Sequence, residues 1–302
     1  MLYVVRKRGA RYVLLPMAVL ILSVGVVACG QTTTGSSPGP TTAPTTAATS
    51  QPSIAAITIT AVDFSYTLPQ TVPAGLVDIT FVNSGTQLHQ AQLVQLNSGV
   101  TYDQFHSALL QKGLLVMRTL GKLMGGPNIT APGKSSEVML NLPAGQYVAM
   151  CPIPAKDGVR QYLKGMITSF TVSAPANNAQ PAAPTATGQV TLKSFSIGLP
   201  TTVSVGAVTW QVMNTGQEPY EFNVVKLAPG KTAQDVSVFL LHPSGPPPFI
   251  NIGGMAAISP GLSGWVKFNL TAGTYVALSQ VLDKATGKPD FTLGMLTSFT
   301  VQ

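Results

Sequence analysis

The chain has 302 residues, enough for two ordinary domains that each bury a core of their own. Charged residues make up only 9% of the sequence, while Gly, Pro, Val and Thr are frequent, and this composition favours short strands joined by turns over helical bundles. The net charge of +7 is mostly N-terminal: without the first 28 residues, 13 basic residues face 10 acidic ones, which argues against a nucleic-acid partner.

The N-terminus has the pattern of an export signal. A basic run from Arg6 to Arg11 precedes the apolar stretch "YVLLPMAVLILSVGVVAC", which is short for a membrane span. The stretch ends on Val26-Val27-Ala28-Cys29, which resembles a bacterial lipobox. We therefore predict a lipoprotein signal peptide over 1–28 and a lipidated Cys29, with the rest of the chain anchored to the cell membrane on its extracytoplasmic side. An uncleaved anchor helix and an ordinary signal peptide cut nearby are the alternatives.

The second cysteine, Cys151, lacks a partner within the chain if Cys29 is acylated. An unpaired thiol outside the cytoplasm calls for metal ligation, burial, or pairing with another molecule. A disulfide between Cys29 and Cys151 is the alternative if lipidation fails.

Two polar segments divide the chain. Residues 29–53 are rich in Thr, Ser and Pro and predict a flexible tether, and the similar segment 174–187 predicts a linker. The remaining blocks, 54–173 and 188–302, are copies of each other. Thus "DFSYTLPQTVPAG" matches "SFSIGLPTTVSVG", and "LPAGQYVAMC" matches "LTAGTYVALS", at an offset of 128 to 131 residues. A period this long indicates tandem domains.

Each block shows short β-rich runs between turn signals, interrupted by one helical insert. Capping boxes at Thr101–Gln104 and Thr232–Asp235 begin the inserts. In the first block the apolar run "LLVMRTLGKLM" extends the insert, whereas the prolines of "HPSGPPPFIN" predict a loop in the second block.

Both blocks resemble cupredoxins, the plastocyanin-like family of blue-copper proteins. The resemblance rests on Asn83 and Gly85 before His89, the strand "LPAGQYVAMC", the Cys-to-Met loop, and the closing strand "GMITSFTV". It implies an all-β fold of two tandem cupredoxin-like Greek-key β-sandwiches, each with a helical insert. It also implies His89, Cys151 and Met166 as copper ligands.

The position of the family's second histidine is Gln161, which is a poor replacement for an equatorial imidazole. Cys, His and Met remain, a soft donor set that suits Cu(I) better than a blue Cu(II) centre. In the second block the corresponding positions are Tyr220, Ser279, Asp290 and Met295, so we expect no copper there. Without a metal role, Cys151 is expected to be an inert buried thiol, His89 to hydrogen-bond a loop, and Gln161 to be a plain loop residue.

These observations predict a non-catalytic binding or structural module with no cofactor, tethered to the membrane by its lipid. Its partner would be a protein or a small ligand of unknown identity. Multicopper oxidases and copper nitrite reductases also join cupredoxin domains, but three histidines in the whole chain cannot build their clusters, so we expect no enzyme. The alternative is an electron carrier or Cu(I)-handling protein that binds copper in the first domain through His89, Cys151, Met166 and Gln161.

Overall fold

The structure is a computed structural model that describes residues 53–174 and 181–302. The predicted signal peptide, Cys29 and nearly all of the tether lie outside the described residues. Within those two ranges, no helix has both the length and the apolar character needed to cross a membrane. Ser50–Gln302 forms one compact unit with its own core, and we expect it to fold by itself.

The first repeat is built mainly of strands, with side chains that alternate between core and solvent along most of them. Its strands are β1 Ala55–Val62, β2 Ser65–Thr67, β3 Thr71–Pro73, β4 Gly75–Asn83, β5 Gln92–Leu96, β6 Gly121–Gly125, β7 Ser135–Leu142, β8 Gly145–Met150 and β9 Ile167–Ser173. The second repeat contributes β10 Gly188–Lys193, β11 Ser196–Gly198, β12 Gly206–Asn214, β13 Tyr220–Leu227, β14 Phe249–Ile258, β15 Ser263–Leu270, β16 Gly273–Leu278 and β17 Leu296–Val301.

The helical inserts begin where the capping boxes predict. Thr101 caps helix α1 (Tyr102–Lys112) and Thr232 caps helix α3 (Ala233–Leu241), each with the reciprocal side-chain bond. In the first repeat a 3₁₀ turn and a short helix α2 (Val116–Thr119) extend the insert, as predicted. The loop predicted in the second repeat is correct only up to Pro248, because Phe249 already belongs to β14.

The two repeats share both of their sheets. One sheet runs β11-β10-β12-β15-β7-β4-β1-β2 and the other β17-β16-β13-β14-β6-β5-β8-β9-β3. At the junction of the first sheet, Val138 of β7 pairs with Val266 of β15, which occupies the same position in its own repeat. At the second junction, Asn128 N donates to Gly254 O at 3.1 Å and Ala256 N donates to Gly126 O at 2.8 Å. The repeats are therefore joined about an approximate twofold axis.

The main core contains buried residues of both repeats, including Cys151, Met166 and Trp210. Trp265 is also buried. Met150 belongs to a different cluster, beneath the helical insert, and therefore packs on the opposite face of β8 from Cys151.

Candidate functional site

His89 lies just after the turn that follows β4, and its backbone is fixed on both sides. It pairs with Thr130, with His89 N to Thr130 O at 3.2 Å and Thr130 N to His89 O at 2.8 Å. The Asn83 amide secures the turn by donating to Gln87 O and Thr130 O, both at 2.8 Å. Gly85 has to be glycine here, because a Cβ atom would overlap both the His89 imidazole and the carboxylate of Asp63. The residues that carry the family resemblance therefore hold a fully buried imidazole in one place.

Both nitrogens of that imidazole are hydrogen-bonded. Nδ1 lies 2.6 Å from Oε1 of Gln161, and Nε2 lies 3.0 Å from Oδ1 of Asp63. The oxygen and nitrogen of the Gln161 amide cannot be interchanged, because the nitrogen donates to Leu88 O at 2.9 Å. Both partners of the ring are oxygen atoms that accept hydrogen bonds, so each ring nitrogen faces an acceptor of the protein. A metal at either nitrogen would have to displace one of these partners.

Asp63 is a member of this site that the sequence analysis missed. Its carboxylate accepts from the Thr86 backbone at 2.9 Å and from the Thr86 hydroxyl at 2.5 Å. The Thr86 hydroxyl contributes most to lowering the pKa of Asp63 to about 2, with further contributions from the Thr86 backbone and His89. The repeat alignment held a signal, since Asp63 and His89 are both replaced in the second repeat, by Ser194 and Tyr220.

Cys151 follows β8 and is fully buried. Burial raises the pKa of the thiol to about 12 and outweighs the backbone amides of Gln90 and Ile153, which lower that pKa. The thiol is therefore protonated at neutral pH. Tyr66, which the sequence analysis also missed, donates its hydroxyl hydrogen to Gln90 O.

The loop between Cys151 and Met166 brings three of the four predicted residues together through its backbone. Cys151 N donates to Met166 O, Met166 N donates to Gln161 O, and Gln161 N donates to Ile153 O, each at 3.0 Å. Gln161 is fully buried and holds His89, so the expectation of a plain loop residue is wrong. All four predicted residues lie in one neighbourhood.

The second repeat keeps this backbone arrangement with different side chains. Ser279 N donates to Met295 O at 3.1 Å and Met295 N donates to Asp290 O at 3.0 Å. The Ser279 hydroxyl donates to Asp290 Oδ2 at 3.0 Å, at the positions of the cysteine and the second histidine. Burial raises the pKa of Asp290 to about 7. Met295 is buried in the main core, so a methionine at this position packs well among apolar side chains.

As arranged, the donor set of the first repeat does not fit a trigonal copper site. Such a site needs a thiolate and two unprotonated imidazole nitrogens in one plane. Here burial keeps the thiol protonated, Gln161 stands in place of the second imidazole, and both nitrogens of His89 face acceptors of the protein. In the described ranges, no three side chains of the His, Cys, Asp and Glu types are grouped as a metal site. A metal role for His89, Cys151, Met166 and Gln161 stays a prediction.

Comparison with solved structures returns copper proteins. An auracyanin from Roseiflexus castenholzii is 25% identical, over 39% of this chain and 96% of that chain, with a TM-score of 0.29. A multicopper oxidase is 15% identical, over 82% of this chain and 88% of that chain, with a TM-score of 0.23. A copper nitrite reductase from Nitrosomonas europaea is 12% identical, over 83% and 94% of the two chains, with a TM-score of 0.26. No family model and no curated relative matches the chain.

The expectation that the chain is not an enzyme is corrected by this comparison, because the similar structures include multicopper oxidases and nitrite reductases, which are enzymes. The small number of histidines excludes their copper clusters, but it does not exclude every form of catalysis. The predicted all-β fold class is confirmed, because both repeats are built mainly of strands that form two large sheets.

Proposed function

We propose that the protein is an exported, lipid-anchored binding protein, whose joined sandwiches use the family's copper position in the first repeat as a structural polar cluster. In this proposal Asp63, His89 and Gln161 replace the metal as the link between the turn after β4 and the Cys-to-Met loop. The single observation that carries it is the hydrogen bonding of both His89 nitrogens, to Gln161 at 2.6 Å and to Asp63 at 3.0 Å.

The state of Cys151 supports the same proposal. A thiol whose pKa is raised to about 12 is a weak metal ligand at neutral pH, because the thiolate is the form that binds. The fully buried sulfur is also a poor partner for Cys29, and this favours lipidation of Cys29 over a disulfide.

A second candidate function, Cu(I) handling or electron transfer through the first repeat, is favoured by one specific observation. The backbone amides of Gln90 and Ile153 act on the Cys151 sulfur in the sense that stabilises a thiolate. Copper binding would then require Cys151 to lose its proton and His89 to give up at least one of its two partners.

Metal retention distinguishes the two candidates. Residues 53–302 would be loaded with Cu(I) under anaerobic reducing conditions, dialysed against a Cu(I) chelator, and analysed for copper beside the Cys151→Ser variant. We expect no stoichiometric copper in either protein. One copper per chain that depends on Cys151 would overturn the structural role in favour of Cu(I) handling.

Lipid anchoring is tested separately in the full chain, produced in a bacterial host. We expect the protein in the membrane fraction, and we expect Cys29→Ala to prevent lipid labelling. If labelling persists in Cys29→Ala, the anchor is not at Cys29, whatever the result for copper.

A further inference from the structure

A cavity of about 430 Å³ lies where the two repeats meet, beside the helical insert of the first. The first repeat supplies one wall from the segment around α2 and from the loop after Cys151, and the second repeat supplies the opposite wall from β14 and the loop after Ser279. Most of the lining is apolar, and it includes Leu114, Met117, Leu123, Ile153, Tyr162 and Val281. Cavities of this size and character are typical of small-molecule sites.

The cavity follows from a difference between the repeats. The second repeat has a proline-rich loop in place of α2, so the approximate twofold axis generates no matching wall on the opposite side. Arg118 of α2 holds the wall against the second repeat, since its guanidinium lies 2.9 Å from Glu218 Oε2 and donates to Leu282 O at 2.9 Å. The contacts of Arg118 with Glu218 and Leu282 therefore hold the two walls of the cavity together.

Two buried polar side chains line the interior. Gln90 is 2% exposed and lines the interior of the cavity. Glu221, which occupies the same position in the second repeat, is 6% exposed and accepts from Gln280 N at 2.8 Å. Burial raises the pKa of Glu221 to about 7, so the protonated and the ionised carboxyl group are both present near neutral pH. A ligand that hydrogen-bonds these buried polar groups makes interactions that burial denies them with water.

The charges around the cavity favour an uncharged ligand. Arg118 and Arg160 line it and disfavour a cation, whereas Glu221 disfavours an anion at the inner wall. Both guanidinium groups already have partners in the protein: Arg160 donates to Pro152 O at 2.6 Å, and Arg118 donates to Glu218 Oε2.

We propose that the cavity binds a small, uncharged, largely apolar molecule whose one polar group hydrogen-bonds Gln90 and Glu221. This proposal depends neither on lipid anchoring nor on the state of the copper position.

The test is a fluorescence titration of residues 53–302 with N-phenyl-1-naphthylamine, an uncharged aromatic probe with a single N–H donor. We expect saturable binding at one site per chain with a blue-shifted emission. Absence of saturable binding overturns the proposal. The anionic analogue 8-anilino-1-naphthalenesulfonate is expected to bind at least about tenfold more weakly, and equal affinity overturns the choice of an uncharged ligand.

A matched pair of variants locates the site. Leu115 lines the cavity and is 62% exposed, whereas Leu110 on α1 is 52% exposed and does not line it. Leu115→Trp is expected to weaken probe binding about tenfold or more by blocking the entrance, and Leu110→Trp is expected to leave it unchanged. Equal effects of the two variants would place the probe elsewhere and overturn the location.

The polar contacts are tested with Gln90→Leu and Glu221→Leu. The single N–H of the probe can donate to one of these two side chains, and loss of that hydrogen bond is expected to weaken binding by about three- to tenfold in the variant that removes the acceptor. Thermal unfolding checks that each variant is folded, and Glu221→Ala, which also removes the acceptor, serves if Glu221→Leu does not fold. Affinity unchanged in both Gln90→Leu and the folded Glu221 variant overturns the assignment of the polar group.

Discussion

His89 Nδ1 lies 2.6 Å from Gln161 Oε1, so the residue at the position of the family's second copper-binding histidine is the hydrogen-bond partner of the first. The replacement does more than remove a ligand. It supplies an acceptor where an imidazole nitrogen would face a metal, and Asp63 supplies the second acceptor at 3.0 Å on the other side of the ring. A buried polar cluster of this kind is stable only if each member is hydrogen-bonded, as it is here.

The replacement predicts that one substitution moves the first repeat toward copper binding. Gln161→His removes the acceptor from His89 Nδ1 and adds a second imidazole beside Cys151 and Met166. With Cu(II), we expect an intense visible thiolate-to-copper absorption in this variant. Gln161→Ala, which removes the same acceptor without adding an imidazole, is the control and is expected to stay colourless. A colourless Gln161→His protein would show that more than this one ligand is missing.

The lowered pKa of Asp63, whose carboxylate accepts hydrogen bonds from Thr86 and lies beside His89, predicts a contribution to stability that depends on pH. The pKa of Asp63 is lowered to about 2 in the folded protein, from an ordinary value of 3.8. The folded state therefore binds fewer protons than the unfolded state, so the stabilisation is present above pH 3.8 and is lost as the pH falls through 2. Asp63→Asn is expected to lower the free energy of unfolding at pH 7 by about 1–3 kcal/mol and to have little effect near pH 2.

Urea unfolding at pH 7, 4 and 2 measures this difference. Asp103→Asn, at an exposed position of α1, is the matched control and is expected to change the free energy of unfolding by less than about 0.5 kcal/mol. An Asp63→Asn protein as stable as the parent at pH 7 would contradict a stabilising role for the Asp63 carboxylate.

Glu221 predicts a pH dependence of the opposite sign. Burial raises its pKa from 4.5 to about 7, so between these values the folded state binds more protons than the unfolded state. The free energy of unfolding therefore falls as the pH rises from 4.5 to 7, by an amount on the order of 3 kcal/mol for this one group. Glu221→Gln is expected to reduce this slope and to be more stable than the parent at pH 8. Identical pH profiles for the parent and the variant would contradict the raised pKa.

The protonated, buried thiol predicts that Cys151 is unreactive in the folded protein. In residues 53–302 it is the sole cysteine, so a colorimetric thiol reagent reports on it alone. At pH 8 we expect the native protein to react at least about a hundredfold more slowly than the protein unfolded in guanidinium, because the thiolate is the reactive form and the sulfur is buried. Rapid reaction of the native protein would indicate a thiolate, and would favour a ligand role.

The sequence predicts local structure well and the site only in part. The capping boxes at Thr101 and Thr232 follow from residues close in the chain, and the structure confirms them. The match to the ligand positions also locates the cluster, because the family pattern fixes where His89, Cys151, Gln161 and Met166 meet.

Long-range pairings account for what the sequence could not predict. Asp63 is 26 residues from His89, and nothing in the local pattern of either residue indicates the contact. The pairing of Val138 with Val266 joins the repeats into shared sheets, yet each strand by itself resembles an ordinary half-buried strand. The cavity beside Glu221 depends on that joining, and therefore could not be found within either repeat alone.

A copper titration followed by visible absorption tests the central claim most directly. Residues 53–302 would be titrated with Cu(II) at neutral pH beside the Cys151→Ser variant. If His89 is held by Gln161 and Asp63 and the thiol is protonated, no intense visible band appears and the two proteins give the same spectrum. An intense thiolate-to-copper band in the parent protein that is absent from Cys151→Ser would show that copper displaces the polar cluster, and would contradict its structural role.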